Sequence, residues 1–474
     1  MKLSRLIMDL YTVEILNFKD VDVSLITNNS GKCIRNSLFV AICGSYKNGE
    51  DFIEDAHSRG ARVFVSEHLC YPKFDSVVII VKNARKALAE LCSVFFGNPE
   101  KKLVTTAITG TKGKTSSAYL LSRILDYSGV KNMLFGTLGA LGVLNKSFCN
   151  TTPDPTVIYP IIRRGVHKGI NNLVLEVSSQ AIKEERVFGM PMDCVLYTGI
   201  SRDHIGVGEH PSFSDYLNSK HKLFTSFGAK TAVVNFDDAY SSYISGGMPR
   251  VHRCGFSKGS EYRIEQFKNT DAGSSFYLNG EKIKTSLMGE YNARNIAMAL
   301  VAALKMYGCT IEKAKYAVEN IVIPGRFEKQ SVNGRNVIID YAHNGESFRE
   351  VMSLSRKVYG GRLISVFGSV GERCFERRRE LALEAEKYSD LSVITSDNPG
   401  CESAYSICSE ICSYFNNSEK ARIITDRAVA IRYAYDVSKR GDTILILGKG
   451  REETMKVNGK DIEYSDFDVV SRLV

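Results

Sequence analysis

Long apolar runs, cysteine pairs, internal repeats and low-complexity linkers are all missing from this sequence. No stretch approaches the ~18–20 apolar residues that a membrane-spanning helix requires, so bilayer insertion is not expected. The opening stretch MKLSRLIMDLYTVEILNF is interrupted by Asp9, Glu14 and Asn17 and has no small-residue cleavage site. It does not read as a signal peptide, and a cytoplasmic protein is expected. The 12 cysteines show no CxxC spacing. Cys408 and Cys412 stand one turn apart on a helical pattern. Buried, reduced thiols fit this usage better than disulfides or a zinc site. Proline is scarce, at 10 residues, and the chain is 44% hydrophobic and 24% charged. That composition excludes collagen-like, coiled-coil and disordered chains.

What is present is a chain of 474 residues, enough for about three domains at ~150 residues each. Its net charge of +9 comes from 62 basic and 53 acidic residues spread along the chain, with one short cluster at Arg377-Arg378-Arg379. No RNP-type aromatic motif or zinc-finger spacing accompanies them. Small anionic substrates are therefore expected as partners, and nucleic acid is not.

Strand-like runs SLFVAI and ARVFVSE flank a helical piece in the first hundred residues, and a break follows at FGNPEKK. From Leu103, apolar runs VTTAIT, NLVLEV, CVLYTGI and TAVVNF alternate with helical patterns, as parallel strands buried on both faces do. After PGRFEK the alternation restarts with NVIIDYAH, LISVFGSVG, LSVITSDNPG, ARIITD and TILILGKG. Several of these runs end in Gly, Asp or Asn, the residues expected where ligands meet the carboxyl edge of an open α/β sheet. The predicted architecture is α/β in three domains: a small N-terminal domain over 1–100, a central parallel sheet over 101–328 and a Rossmann-like domain over 329–474.

The segment VTTAITGTKGKTSSAYLLSRIL carries the strongest signal. A strand ends in Gly110-Thr111-Lys112-Gly113-Lys114-Thr115, followed by Ser116 and a helix with Ala118, Leu121 and Leu125 on one face. Glycines let backbone N–H groups turn toward phosphate oxygens, Lys114 supplies a cation, and the Thr115 hydroxyl suits Mg²⁺. The loop is shortened, since Ile108 stands where G-x-x-x-x-G-K-[ST] has its first glycine. An ATP-type phosphate site is predicted. Downstream, NLVLEV ends at Glu176 and CVLYTGI leads to Asp203 and His204. A carboxylate and an imidazole at neighbouring strand ends can hold a divalent metal.

With these motifs, the chain resembles the Mur ligases, ATP-dependent enzymes that add amino acids to the UDP-muramoyl peptide of bacterial cell wall. Within that family it is most similar to the third ligase, which extends UDP-N-acetylmuramoyl-L-alanyl-D-glutamate to a tripeptide. The resemblance runs through GTKGKTS, NTTPDP, LEVSSQAI, SRDH, SKHKLF, GEYNARN, PGRFE, DYAHN, SDNPG, DRAVAI and GKGREE. It implies that a substrate carboxylate attacks the ATP γ-phosphate and that an amine then displaces phosphate from the acyl phosphate. Both steps build negative charge, so positioned cations and metal should dominate catalysis.

The resemblance also implies roles for individual residues. Lys114, Lys220 and His204 are the catalytic group, and Thr115, Glu176, His204 and Lys220 hold Mg²⁺, with Lys220 carbamylated. CO₂ addition turns that ammonium into a carboxylate-like ligand. Lys222 is the neighbouring competitor. ATP is bound by Gly110 to Ser116, Asn292, Asn295, Arg326 and Asp340, with Arg326 at the hinge before the C-terminal domain. The UDP-peptide is bound by Ser30, Ser45, Tyr46, Lys47, Asn150, Thr151, Thr152, Ser178, Glu184 and Arg186. The chain departs from the pattern twice here. Asn29-Ser30-Gly31 replaces Asp-Ser-Arg, and Gln180 stands where His is usual.

For the incoming amino acid the resemblance implies Arg378, Asp397, Asn398, Gly448 and Glu452. Diaminopimelate-adding relatives read Asp-Asn-Pro-Arg, and their arginine pairs with the second carboxylate. This chain reads Asp397-Asn398-Pro399-Gly400. A guanidinium–carboxylate pair discriminates strongly because its absence strands a charge. L-lysine is therefore expected, with meso-diaminopimelate, through Arg378, or another amino acid as the alternative. A monomer is expected. Folylpolyglutamate synthetase shares the phosphate loop but lacks the muramoyl-type N-terminal domain and the Asp-Asn-Pro motif. A non-catalytic paralogue would explain Gly31, Gln180 and Gly400, but not the intact Lys114, Glu176, His204 and Lys220.

Overall fold

The computed structural model describes residues 1–44, 47–68, 75–144, 148, 150–202, 205–206, 209–372 and 375–473. Two compact units emerge. One holds Met1–Glu265 with Leu278–Gly280 and Arg294–Ala317, and the other Gln266–Tyr277, Glu281–Ala293 and Val318–Val474.

The first unit contains two sheets. Strands β1 (Glu14–Leu16), β2 (Leu25–Thr27), β3 (Ser37–Val40), β4 (Ala61–Ser66) and β5 (Val77–Ile80) run in the order β1-β5-β4-β3-β2. All neighbours are parallel except β1 against β5. The second sheet uses β6 (Val104–Thr109), β7 (Met133–Gly136), β8 (Gly139–Leu141), β9 (Asn172–Glu176), β10 (Cys194–Tyr197), β11 (Thr231–Asn235) and β12 (Arg250–Gly255). Their order is β12-β11-β10-β6-β9-β7-β8, parallel apart from the β7–β8 hairpin. VTTAIT, NLVLEV, CVLYTGI and TAVVNF become β6, β9, β10 and β11, buried on both faces as parallel strands under helices must be. One apolar cluster extends from Leu88 on helix Ala84–Phe95 to Tyr159 and Ile162 on helix Pro155–His167. It joins the two sheets into one unit.

The chain continues through β13 (Tyr262–Thr270), β14 (Gly273–Leu278) and β15 (Glu281–Thr285). The second unit's main sheet comprises β16 (Glu328–Val332), β17 (Arg335–Asp340), β18 (Leu363–Phe367), β19 (Leu391–Ile394), β20 (Ala421–Ile423) and β21 (Thr443–Leu447). Its order is β16-β17-β21-β18-β19-β20, with only β16 antiparallel. A hairpin, β22 (Thr454–Val457) and β23 (Lys460–Glu463), follows. Alternate residues of β17 and β21 face opposite layers, as strand geometry demands. Ile338 and Leu445 pack with Phe348 and Leu381 on one side, and Val337 and Ile444 with Ala430 and Ile431 on the other. The register pairs Asp340 with Leu447 and Phe367 with Ile394. DYAHN, GSVGE, SDNPG and GKGREE therefore all leave the sheet from its carboxyl edge. The nine described cysteines are free thiols, six of them buried.

Candidate active site

The register of the first unit's central sheet converges three strand ends on one spot. Ile108 pairs with Glu176, and Thr109 pairs with Tyr197. The chain leaves β6 into Gly110–Gly113 and enters helix Lys114–Tyr127. Gly110 (φ +151°) and Gly113 (φ +80°) adopt conformations that side chains resist. Space is closed as well. A Cβ on Gly110 would stand 2.0 Å from Thr198 Oγ1, and one on Gly113 would stand 2.6 Å from Asn295 Oδ1. The helix buries Leu120 and Ile124 in addition to the expected Ala118, Leu121 and Leu125, so it is enclosed on more than one face.

Two ammonium groups meet at this loop. Lys114 Nζ donates to Gly110 O at 2.8 Å and to Thr111 O at 2.9 Å, and Lys220 Nζ donates to the same Gly110 O at 3.0 Å. Lys220 is 1% exposed on helix Phe213–Thr225, with its Nζ 4.4 Å from the Tyr216 ring centroid. Lys222 turns away and pairs with Glu185 at 2.9 Å. Thr115 Oγ1 donates to Glu176 Oε2 at 2.9 Å. Ser116 is buried in the helix's first turn, and Ser117 Oγ donates to Asn295 Oδ1 at 3.1 Å. Lys112 contributes its carbonyl, which accepts a hydrogen bond from Thr198. Asp203 and His204 lie outside the described residues.

Thr151, Thr152 and Ser178 gather beside Glu176. Thr152 Oγ1 donates to Glu176 O at 2.9 Å and accepts from Ser178 N at 3.0 Å. Ser178 caps helix Ser179–Lys183, and Asn150 is exposed at the loop's start. Arg186 donates to Thr152 O at 3.0 Å and pairs with Glu184 at 2.5 Å. Gln180, the residue replacing His, donates to Glu184 Oε1 at 2.6 Å. Burial raises the Glu184 carboxyl, but Gln180, Arg186 and Arg85 outweigh it and hold the group below its ordinary value. Ser30 opens the short 3-10 helix Ser30–Lys32, whose Gly31 N–H donates to Asn29 Oδ1 at 2.9 Å. Lys47 lies over Phe52, while Ser45 and Tyr46 are outside the described residues.

In the second unit, Asn292 is buried and donates to Met288 O at 2.8 Å. Arg326 stacks over Tyr341 at 4.5 Å, and Asp340 accepts from Phe327 N at 2.6 Å and Ala342 N at 2.7 Å. PGRFE and DYAHN are thus knitted together. Asn398 donates to Glu452 Oε2 at 3.1 Å and accepts from Lys449 Nζ at 3.2 Å. Gly448 (φ +112°) approaches Asp397 so closely that a Cβ would stand 2.2 Å from Asp397 Oδ2. Burial raises the Asp397 carboxyl, with Lys449 and Arg427 opposing. Arg378 is buried rather than solvated. It is 1% exposed, grips Glu402 through two bonds at 2.9 and 2.7 Å, and reaches Glu410 at 2.5 Å.

Residues 108–303 match the Mur ligase middle domain, and residues 325–450 match the Mur ligase glutamate ligase domain. The chain is 36% identical over 454 residues to the UDP-N-acetylmuramoyl-L-alanyl-D-glutamate–2,6-diaminopimelate ligase of Aquifex aeolicus, covering 95% of this chain and 93% of that one. The chain belongs to the Mur ligase family. A UDP-N-acetylmuramyl-tripeptide synthetase of Ligilactobacillus salivarius is 32% identical, with coverage of 97% and 96%. A solved diaminopimelate ligase structure superposes with a TM-score of 0.69 at 24% identity, covering 100% and 99% of the two chains. A MurF ligase from Thermotoga maritima in complex with ADP gives 0.62 at 20% identity, covering 91% and 95%. Those two likenesses speak for the fold.

As a Mur ligase, this protein is an ATP-dependent ligase. Several residues of its site were not singled out in the sequence. Thr137 donates to Glu176 through its N–H at 3.0 Å and its hydroxyl at 3.2 Å. Tyr216 OH lies 2.8 Å from Thr111 Oγ1, and Arg85 stands 3.8 Å from Glu184. Gly136, just before Thr137, makes room for this carboxylate, since a Cβ there would fall 2.0 Å from Glu176 Oε1.

Proposed function

We propose that this Mur ligase joins meso-diaminopimelate to the D-glutamate of UDP-N-acetylmuramoyl-L-alanyl-D-glutamate, in the cytoplasm, as a step of peptidoglycan precursor synthesis. Residues 1–100 would bind the UDP substrate, 101–328 ATP and 329–474 the amino acid. One observation carries the chemistry: Lys114 and Lys220 converge on Gly110 O beside the Thr115–Glu176 pair. The substrate carboxylate attacks the γ-phosphate of ATP, ADP leaves, and the amine then displaces phosphate from the acyl phosphate. The phosphate loop and Lys114 neutralise the charge that builds on the transferring group, where fixed donors act most strongly.

Thr115 and Glu176 offer the hard oxygen donors that Mg²⁺ favours, and Glu176 is fully buried. They would hold the ion with His204 and a carbamylated Lys220. When bound, Mg²⁺ supplies charge neutralisation and alignment of the phosphates. An ammonium cannot ligate a cation. CO₂ addition to the neutral Lys220 amine, with loss of a proton, would make the required carboxylate.

The diaminopimelate assignment rests on relatives that carry that name, and it displaces the L-lysine expected from Gly400. L-lysine stays as a second reading because of the turn itself. A Cβ on Gly400 would meet the Glu372 carboxylate at 2.7 Å, so an acid rather than a guanidinium stands there. The test is phosphate release from Mg-ATP with UDP-muramoyl dipeptide and each amino acid in turn. Release with diaminopimelate supports the reading, and release with lysine alone replaces it.

A further inference from the structure

The loops that begin at Asp397 and Gly448 leave β19 and β21, which are not neighbours, because β18 lies between them. A residue from the opposite layer ties them together. Arg427 is the first residue of helix Arg427–Val437, is 2% exposed, and carries no role in the mechanism above. Its Nη1 donates to Ser396 O at 3.2 Å and its Nη2 to Leu447 O at 2.8 Å. Those carbonyls belong to the residues immediately before Asp397 and Gly448. Arg427 is itself held by Asp466, through Nε to Oδ1 and Nη2 to Oδ2, both at 2.8 Å. Asp466 is fully buried, and Tyr464 OH donates to its Oδ1 at 2.9 Å. The two loops have little slack between them, given how closely Gly448 approaches Asp397.

A buried ion pair of this kind is poor value as a stabiliser. Desolvation of both charges offsets most of the attraction, and apolar replacements of similar volume are often neutral or better. What an apolar pair cannot do is bond two carbonyls at the ends of separate strands. Arginine's planar fork can, since its donors point in fixed, divergent directions. We infer that Arg427, locked by Asp466, is a positioning residue that sets the spacing of the Asp397–Asn398 and Gly448–Glu452 loops, and through it the affinity for the incoming amino acid. This rests on the reading of those loops as the amino-acid site.

The test compares the wild-type enzyme with Arg427→Met/Asp466→Leu, which fills the same space without charge, and with Arg427→Lys, which keeps the charge but not the fork. KM for the amino acid, KM for ATP, KM for UDP-muramoyl dipeptide and melting temperature are measured for each. The expected result is an amino-acid KM raised tenfold or more, with the other two KM values within twofold and cooperative melting retained. Arg427→Lys is expected to show the same selectivity, and it decides the matter if the double variant does not fold. Unchanged amino-acid KM in a folded variant, or equal losses for all three substrates, overturns the inference. A wild-type enzyme with no amino-acid-dependent phosphate release would instead overturn the functional reading beneath it.

Discussion

Thr115 Oγ1 donates a 2.9 Å hydrogen bond to Glu176 Oε2, although 61 residues separate them in the chain. The bond links the start of the phosphate-loop helix to the end of the neighbouring strand. It places side by side the hydroxyl and the carboxylate proposed above to hold Mg²⁺. Thr137 fixes the same carboxylate from the other side. Partners that orient a metal ligand typically contribute ~10–100-fold in metal affinity. Thr137→Val keeps the volume and removes one of its two bonds, so the Mg²⁺ concentration for half-maximal activity should rise about tenfold. Activity at saturating Mg²⁺ should change little. A Mg²⁺ titration of phosphate release checks this, and an unchanged midpoint refutes it.

Lys114→Ala should reduce kcat/KM by ~10²-fold or more, the usual cost of removing a donor aimed at developing charge. The side chain is half-buried, and its ammonium bonds to the carbonyls of Gly110 and Thr111 in the loop. Melting temperature should stay within a few degrees of wild type. Normal turnover in this variant would remove the phosphate-loop assignment.

Lys220→Ala should be nearly inactive and should regain part of its activity with added short-chain carboxylic acids. The deletion opens a space under Gly110 O where a small carboxylate can stand in for a carbamate. Intact-mass measurement of the wild type in bicarbonate should show the added CO₂. An active Lys220→Ala enzyme with no carbamate on the wild type would reduce Lys220 to a buried structural cation.

Gly400 has φ +65° and accepts a Cβ only if Glu372 moves. Gly400→Ala should therefore cost ~1–2 kcal/mol, the penalty of a left-handed conformation for an L-residue. Gly400→Arg carries the same penalty while adding a guanidinium worth ~1.5–3 kcal/mol against a second carboxylate. Its diaminopimelate-to-lysine ratio in kcat/KM should rise, with a lower melting temperature. A ratio that does not rise would show that position 400 does not face the amino acid's distal end.

Much of this site was legible because its parts are contiguous motifs. GTKGKT needs no tertiary partner to be read as a phosphate loop, and Glu176 could be read from its place at a strand's end. The parallel strands announced themselves through unbroken apolar runs. The MLFG strand β7 did not, because it has four residues and ends in glycine. What stayed hidden is set by register and packing between distant segments. Thr137 reaches Glu176 only because β7 pairs with β9. The sequence assigns Arg378 to the incoming amino acid, but its burial between partners 24 and 32 residues away could not be read from three arginines in a row. Arg427 lies in DRAVAI, and the carbonyls it bonds, at the ends of two strands that are not adjacent, come together only in the folded sheet.

The most direct measurement is ATP-dependent phosphate release in the presence of UDP-N-acetylmuramoyl-L-alanyl-D-glutamate, Mg²⁺ and a panel of amino acids that includes meso-diaminopimelate, L-lysine, L-alanine and L-glutamate. Release is expected only when all components are present, highest with diaminopimelate, and accompanied by a product whose mass equals the two substrates joined with loss of water. Absence of release with every amino acid, from a folded and Mg²⁺-supplied enzyme, would contradict the account.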